Sequence, residues 1–470
     1  MKIQKRTAEQ FTQQKGLYTK IASMVLFPIH ERIKGHDTID IYRFLQSTQF
    51  LTRDELIELQ CQKLKNLLIY ASENVPYYKK IFREWNIDAS SINNIDDLSS
   101  LPLLTKDDIR TNLNHLKSIK SSRLVISTTS GSTGMPLKFF IGKKRASYDV
   151  AAKMRAHGWW GIEIGDPEIV IWSSVQDLPN ITFLKSLRDK IFRSKLVPVR
   201  DLSSETMQKI AEEIEQRNPT HIFGYTAAII SLARYLIEKK QCALSERLSV
   251  VFVTSEYLSE DNRKLIEDAF GCPVANEYGA RDAGFIAHEC QFGGMHITME
   301  EVIVEILDEK NKPVSTGNVG EVVITNLASH DFPFIRYKTG DMASLSADNC
   351  RCGRGLLLID KIVGRSNDVL LSVDGKRLHY TAVTHVMRKL DSVREFQITQ
   401  EARNHIRIRV VPEGILGEGT LITIKNEMRK KLGEEMMIDI VQSDSIPLGK
   451  NGKYRHVINR VITPDNDIEA

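Results

Sequence analysis

The feature that most constrains the fold is an alternation of short apolar runs and amphipathic segments between Leu124 and about residue 280. Glu168-Ile-Val-Ile-Trp172 and Leu248-Ser-Val-Val-Phe-Val253 are continuously apolar, as strands covered on both faces must be. Between them, Ser204 to Gln216 and Thr226 to Lys239 repeat apolar residues at helical spacing. Strand and helix in alternation predict a doubly wound α/β sheet. The flanks read differently. Residues 1 to about 120 are largely helical, with Leu64, Leu67, Leu68 and Ala71 on one stripe. Asn74-Val-Pro-Tyr-Tyr breaks that helix, and Thr105-Lys-Asp-Asp after Pro102 opens another through a hydroxyl cap. From residue 295, His296-Ile-Thr-Met, Val302 to Leu307 and Gly320 to Thr325 alternate as antiparallel strands or a distorted barrel do. Gly364-Arg-Ser-Asn-Asp368 reads as a hinge. A helix around Ala382 to Leu390 and strands at Phe396-Gln-Ile and Ile406 to Val410 then predict a small α+β domain. The expected division is 1–363 and 364–470.

Composition excludes several classes. At 470 residues, 42% hydrophobic and 26% charged, the chain is globular and long enough for at least two domains. A net charge of only +4 is too balanced for nucleic acid or a membrane surface as the main partner. Met1-Lys-Ile-Gln-Lys-Arg leads into polar residues, so no signal peptide is expected. The apolar stretch Ile21 to Ile29 is too short to span a bilayer and contains Pro28. It reads as a buried helix face, with a peripheral membrane contact as the lesser alternative. Of six cysteines, Cys61, Cys242 and Cys272 read as ordinary buried thiols. Without a secretion signal no disulfide framework is expected, and the cytoplasm is the expected location. Monomer and homodimer both stay open.

The chemistry concentrates in five phrases. Ser127-Thr-Thr-Ser-Gly-Ser-Thr-Gly134 follows an apolar run and combines backbone freedom at Gly131 and Gly134 with hydroxyl donors at Thr128, Thr129, Ser130, Ser132 and Thr133. Such a loop suits a polyphosphate, although no Gly-Lys-Ser/Thr follows to make a Walker A loop. Glu277-Tyr-Gly-Ala-Arg-Asp282 offers an aromatic face and a carboxylate for a divalent cation. Phe334-Ile-Arg-Tyr-Lys-Thr-Gly-Asp341 ends in a carboxylate suited to ribose hydroxyls. Gly364-Arg365-Ser-Asn367-Asp368 and Pro447-Leu-Gly-Lys-Asn-Gly-Lys453 complete the set. Singly, each also reads as a turn or a solvated charge.

In this order the phrases resemble the adenylate-forming superfamily of acyl-CoA synthetases. Within it they are most like the branch of phenylacetate-CoA ligases, CapK-like proteins and coenzyme F390 synthetases. Leu67-Leu-Ile-Tyr-Ala-Ser-Glu-Asn-Val-Pro-Tyr-Tyr78 and Leu101-Pro-Leu-Leu-Thr-Lys-Asp-Asp108 are typical of that branch. The resemblance implies a large domain with doubly wound sheets and a distorted β-barrel, then a small mobile α+β domain. It implies ATP, Mg2+ and CoA as cofactors and a carboxylic acid as substrate, converted through an acyl-adenylate. Residue by residue, Thr128 to Gly134 would wrap phosphates, and Glu277, Tyr278 and Gly279 would meet the nucleotide, Tyr278 on adenine. Asp282 would hold Mg2+, one methylene shorter than the usual glutamate. Asp341 would bind ribose, with Arg365 near ribose and phosphate. Asn367 takes the hinge position, and Lys453 is the mobile catalytic lysine, with Lys450 as its rival. Transfer to a carrier protein or amine, AMP transfer as in F390 synthetases, and a non-catalytic binding paralogue are the alternatives. The CapK likeness carries an association with polysaccharide gene clusters.

A second constellation is Cys290, His296, Cys350 and Cys352. Two loops with four soft or borderline ligands could close a tetrahedral zinc site, and some members of the branch carry a similar one. His288 is the rival to His296. For the acyl group, Trp159, Trp160, Trp172, Tyr225 and Phe285 are candidate lining, each read first as core.

Overall fold

The computed structural model describes residues 15–129, 137–172, 183–199, 201–365, 369–379, 383, 386–387, 390, 392–446 and 457–461. Its first third is helical: α1 (Leu17–Ile21), a π turn (Ala22–Leu26), α2 (Phe27–Lys34), α3 (Thr38–Thr48), α4 (Arg53–Asn74), α5 (Pro76–Glu84) and α6 (Lys106–Thr111). Reciprocal capping boxes start α4 (Thr52 with Glu55) and α6 (Thr105 with Asp108), so two backbone donors at each end are satisfied locally. α4 stops at Asn74 because Pro76 disfavours helical backbone in the residue before it and opens α5. Leu64, Leu67, Leu68 and Ala71 are buried, as their spacing predicts. The Ile21 to Ile29 stretch differs from expectation. Ala22 and Phe27 point inward there, whereas Ile21, Met24, Val25 and Ile29 are exposed. The π turn is the reason: it shifts the inward line to Thr19, Ala22, Phe27 and Glu31.

β1 (Val125–Thr128) and β2 (Lys138–Ile141) form an antiparallel hairpin before α7 (Lys143–Gly158). There follow β3 (Glu168–Trp172), α8 (Phe183–Ile191), β4 (Ser194–Pro198), α9 (Ser204–Arg217), β5 (His221–Tyr225), α10 (Thr226–Glu238), β6 (Val250–Thr254), α11 (Glu260–Phe270) and β7 (Val274–Ala280). These five strands pair in parallel. β8 (Gly284–Glu289) reverses direction and leads to β9 (Met295–Ile297), β10 (Val302–Leu307), β11 (Gly320–Asn326), β12 (Tyr337–Ser346) and β13 (Leu358–Arg365). The hydrogen-bonded order is β10-β11-β12-β13-β9-β8-β7-β6-β5-β3-β4, so the antiparallel strands run on from the parallel ones. One face carries Ile210, Ile214, Leu232 and Ile266 of α9–α11; the other packs Phe252, Ala275 and Ile286 in the cluster that holds α4. Cys272 is buried, Cys61 partly so, but Cys242 is exposed just beyond α10, where the chain has already left the core.

The chain divides into two compact units, Met1–Thr339 with Ala343–Ile362, and Gly340–Met342 with Val363–Ala470. The second contains β14 (Val369–Leu371), β15 (Arg377–His379), β16 (Val393–Ala402), β17 (His405–Pro412), α12 (Glu418–Leu432), β18 (Met437–Gln442) and β19 (Val457–Asn459). β16 and β17 are antiparallel and flanked by parallel β19 and β18. Of the helix expected around Ala382 to Leu390, the described Val383, Val386 and Met387 are helical and buried.

In the first unit Arg155 of α7, 1% exposed, meets the Glu300 carboxylate at 2.6 Å and donates to the Leu45 carbonyl. Thr48 donates to the same carboxylate oxygen at 2.7 Å, so α3, α7 and the start of β10 share one buried ion pair. Removing its cation alone strands a buried carboxylate, a cost of about 3–5 kcal/mol. Arg155→Ala is expected to lower the urea-unfolding free energy by that amount; a loss of only about 1 kcal/mol, usual for a surface pair, would contradict this reading.

Candidate functional site

Asp282 sits in the turn between β7 and β8, and the turn is held from three directions. Tyr337, at the start of β12, donates its hydroxyl to the Asp282 carboxylate. Arg145 of α7, itself buried, donates to the backbone carbonyls of Asp282 (3.2 Å) and Arg281 (3.3 Å). Arg281 in turn donates to the Thr128 carbonyl at 2.9 Å, tying the turn to the end of β1. Gly279 and Gly284 pack too closely for side chains: a Cβ on Gly279 would lie 2.9 Å from the Gly284 carbonyl, and Gly284 has φ +105. Asp282 is buried, and its second carboxylate oxygen carries no hydrogen bond among the described residues.

The hydroxyl-rich phrase is the connection of the β1–β2 hairpin. Thr129 closes it, its N–H donating to the Leu137 carbonyl at 2.9 Å and its hydroxyl accepting from the Leu137 N–H at 3.1 Å. Thr128 is exposed and Thr129 half-buried; Ser130, Gly131, Ser132, Thr133 and Gly134 lie outside the described residues. Leu104 runs beside β12, donating its N–H to Arg336 and accepting from Lys338, which explains why the phrases Leu101–Asp108 and Phe334–Asp341 belong together. Arg336 is structural, gripping Glu305 with two N–H groups at 2.8 and 3.1 Å. Asp341 is half-buried on β12 and belongs to the second unit. Asn367, Lys450 and Lys453 lie outside the described residues, as does the side chain of Arg365, whose backbone ends β13.

Tyr278 is buried on β7. The Glu277 carboxylate turns inward to His157 at 2.6 Å. His157 stacks on Phe252 at 3.8 Å. His288, opposite Glu277 in the β7–β8 ladder, stacks on Phe285 at 4.1 Å, and neither of its ring nitrogens has a hydrogen-bond partner among the described residues. At the carboxyl ends of β3 and β5, Trp172 and Tyr225 rings lie 4.5 Å apart, and Lys153 sits 3.4 Å from the centre of the Phe223 ring. The region outside those strand ends is where open α/β sheets bind ligands. Trp159 and Trp160 are core: their indole N–H groups donate to Gln49 and to the Glu289 carbonyl.

The second constellation assembles. Cys290 follows β8, His296 lies in β9, and Cys350 and Cys352 lie in the β12–β13 loop; their ligand atoms are all within 4.8 Å of one another. Cys290 and Cys350 sulfurs are 3.5 Å apart, and Cys352 sulfur is 3.2 Å from His296 Nε2. Tetrahedral edges around an ion bound at metal–sulfur and metal–nitrogen lengths are roughly 3.5–3.8 Å. A Cβ on Gly294 would lie 2.7 Å from the Cys350 sulfur, so glycine keeps the cradle open. Burial and the charge of Cys352 push the Cys290 thiol up to about 12, which a cation among the sulfurs would reverse. His288 is not in this cluster; it faces Glu277 in the interior.

Known proteins resemble this chain along most of its length. The chain is 24% identical over 422 residues to protein CapK of Staphylococcus aureus, covering 87% of this chain and 90% of that protein. It is 24% identical over 425 residues to a phenylacetate-coenzyme A ligase of Thermus thermophilus, covering 84% and 87%. The family model for the CapK C-terminal domain matches residues 370–460. Among solved structures, 2-hydroxyisobutyryl-CoA ligase in complex with 2-HIB-AMP superposes with a TM-score of 0.72 at 21% identity, covering 87% of this chain and 90% of that one. The chain is similar to CapK and the phenylacetate-CoA ligases, and its fold is that of adenylate-forming enzymes. Tyr337, Arg145, Arg281 and His157 are the parts of this candidate site that reading the sequence missed. Tyr337 stood inside a recognised phrase, whereas the others are isolated residues with no pattern around them.

Buried histidines set the electrostatics of the larger unit's interior. Burial lowers His157 to about 4, His288 to about 3 and His330 to about 4, from 6.5. Glu277, which burial alone would raise, is held down by His157. The three histidines stay neutral in the folded protein where unfolded histidine is already protonated. Below about pH 6.5 the unfolded state therefore binds more protons, and stability falls towards pH 4; above that window their contribution is complete. The urea midpoint is expected to be level above about pH 7 and to drop steeply below about pH 6.5; a profile level to about pH 4.5 would contradict this.

Proposed function

We propose that this protein activates a carboxylic acid with ATP, forming an acyl-adenylate and pyrophosphate, and passes the acyl group to the thiol of CoA. The observation that carries the reading is the Asp282 turn fixed to the end of β1 through Arg281. It sets a buried carboxylate and the mouth of a hydroxyl- and glycine-rich loop on one hydrogen-bonded frame, in a chain related to acid-CoA ligases along most of its length. A carboxylic acid is already ionised at neutral pH, so it attacks the α-phosphate without a general base. What remains is to neutralise repulsion and developing charge.

Thr128, Thr129 and the loop Ser130–Gly134 would donate to the phosphates. Asp282, oriented by the Tyr337 hydroxyl, has an oxygen available for Mg2+, which supplies charge neutralisation at the transferring group. Tyr278 and Gly279 would border adenine, Asp341 the ribose, and Arg365 the phosphate side. Lys453 would add its ammonium during adenylation and, carried on the smaller domain 364–470 beyond a hinge at Asn367, withdraw for thioester formation. An aryl acid is the substrate class we favour, on the Trp172 and Tyr225 rings at the strand ends and the Phe223 ring beside Trp172. Cys290, His296, Cys350 and Cys352 would hold Zn2+ as a closed structural site, since four protein ligands leave no open position.

Pyrophosphate release should appear with phenylacetate-like acids and require CoA for turnover. Release indifferent to CoA would redirect the second step to another acceptor, and silence with every acid despite ATP binding would refute aryl-acid activation. Lys453→Ala should slow pyrophosphate release by about a hundredfold or more yet spare thioester formation from preformed acyl-adenylate; survival of both steps would remove Lys453 from its role. The purified chain should carry bound zinc, and Cys352→Ser should lose the metal and melt at lower temperature; absence of zinc from protein purified without chelators would overturn that site.

A further inference from the structure

The outward face of the first helix is apolar and exposed, and no described residue covers it. Leu17, Ile21, Val25, Ile29 and Ile33 recur at every fourth residue, and all five are exposed, Leu17 at 76% and Ile33 at 82%. Met24, 74% exposed, widens the row. A spacing of four drifts around an ordinary α-helix, but the π turn Ala22–Leu26 takes up the drift midway. The row therefore stays on one side while Thr19, Ala22, Phe27 and Glu31 face inward. α8 and its end extend the same surface: Tyr18 donates to the Ile191 carbonyl, Phe27 packs edge-on against Phe192, and Leu187 is exposed.

The charge bordering this row is mostly positive. Lys20, Arg32, Lys34, Lys190 and Arg193 are exposed around it, with the Arg193 guanidinium over the Tyr18 ring. Residues 15–36 contain a single carboxylate, Glu31, which is buried and satisfied by His36, Thr38 and Lys34. On α8, Asp189 pairs with Arg188, and Glu163, which accepts from Ser23, is the exposed acid at the flank. Apolar side chains in line, rimmed by cations, fit a surface that is greasy within and negative at its boundary. A second copy fits worse: a two-fold pairing of antiparallel rows would set the Lys20 end of one helix against the Arg32 and Lys34 end of the other.

We propose that the Leu17–Lys34 helix, with the exposed edge of α8, docks this protein onto an anionic lipid bilayer, lying in the interface without crossing it. No helix among the described residues is long and apolar enough to cross a membrane. The test is co-sedimentation of the full chain with vesicles of phosphatidylcholine alone and of phosphatidylcholine mixed with phosphatidylglycerol, at low and high salt. The chain should pellet with the anionic vesicles and less so at high salt. Ile21→Glu with Ile33→Glu should weaken binding by about tenfold or more while thermal melting and pyrophosphate release in solution stay unchanged. A chain that remains in the supernatant with both vesicle types overturns the proposal. So does a double variant that keeps its fold and still pellets, or a wild-type dimer, split by the variant, that ignores vesicles.

Discussion

A guanidinium taken out of water must find acceptors for its N–H groups and a counter-charge, or the fold loses several kcal/mol. Arg145 meets that demand in a way that fixes much of the larger unit. Its Nε grips Asp149 one helical turn on, Glu301 lies at 3.7 Å, and its remaining N–H groups reach Ser329 and the carbonyls of Arg281 and Asp282. The acceptors come from α7, the β7–β8 turn, the approach to β10 and the segment after β11. Because the two carbonyls belong to the turn that carries Asp282, the position of the candidate metal-binding carboxylate follows from satisfying a buried cation. Arg281, freed to point the other way, then meets the end of β1.

What was legible in the sequence was what local periodicity decides. Burial of Leu64, Leu67, Leu68 and Ala71, the Thr105 cap, and the alternation of strand and helix through β7 depend on neighbours within a turn or a strand. Ile21 to Ile29 was misread because periodicity reports that a helix has an apolar side but not which way that side faces. The π turn that aligns the row outward has no sequence mark of its own. Cys242 failed for a similar reason, since a thiol's identity carries no address. Residues that act through long-range partners, such as Tyr337 on Asp282 or His157 on Glu277, were out of reach. Their chemistry becomes visible only when strands distant in sequence are paired.

Strand pairing also explains how the two halves of the cysteine cluster meet. β9 pairs with β8 on one side and β13 on the other, and Leu358 stands opposite His296. The β8–β9 turn and the β12–β13 loop therefore emerge at the same edge of the sheet, each bent by a glycine of positive φ, Gly293 and Gly353. Two loops that share an edge but no mutual backbone pairing benefit from a staple. Four side chains that could hold a metal ion would provide one without demanding a longer apolar core.

Donor chemistry keeps the two candidate cation positions of the larger unit distinct. Asp282 presents a carboxylate braced by a phenol hydroxyl, and its neighbour Arg281 reaches Thr128 at the end of β1, so its donors are oxygens suited to a hard ion such as Mg2+. Cys290, Cys350, Cys352 and His296 present sulfur and imidazole nitrogen, which a hard ion binds poorly and a borderline one such as Zn2+ binds well. Burial holds His296 down to about 4, so its ring stays neutral throughout the neutral range, the form that can offer a nitrogen to a metal. Closure separates the two positions further. The sulfur set has four protein ligands within reach of one centre, whereas the aspartate supplies one and leaves the rest of an ion's shell to water and phosphate oxygens. An ion held at Asp282 alone would be weakly bound unless a ligand such as a polyphosphate completed its shell.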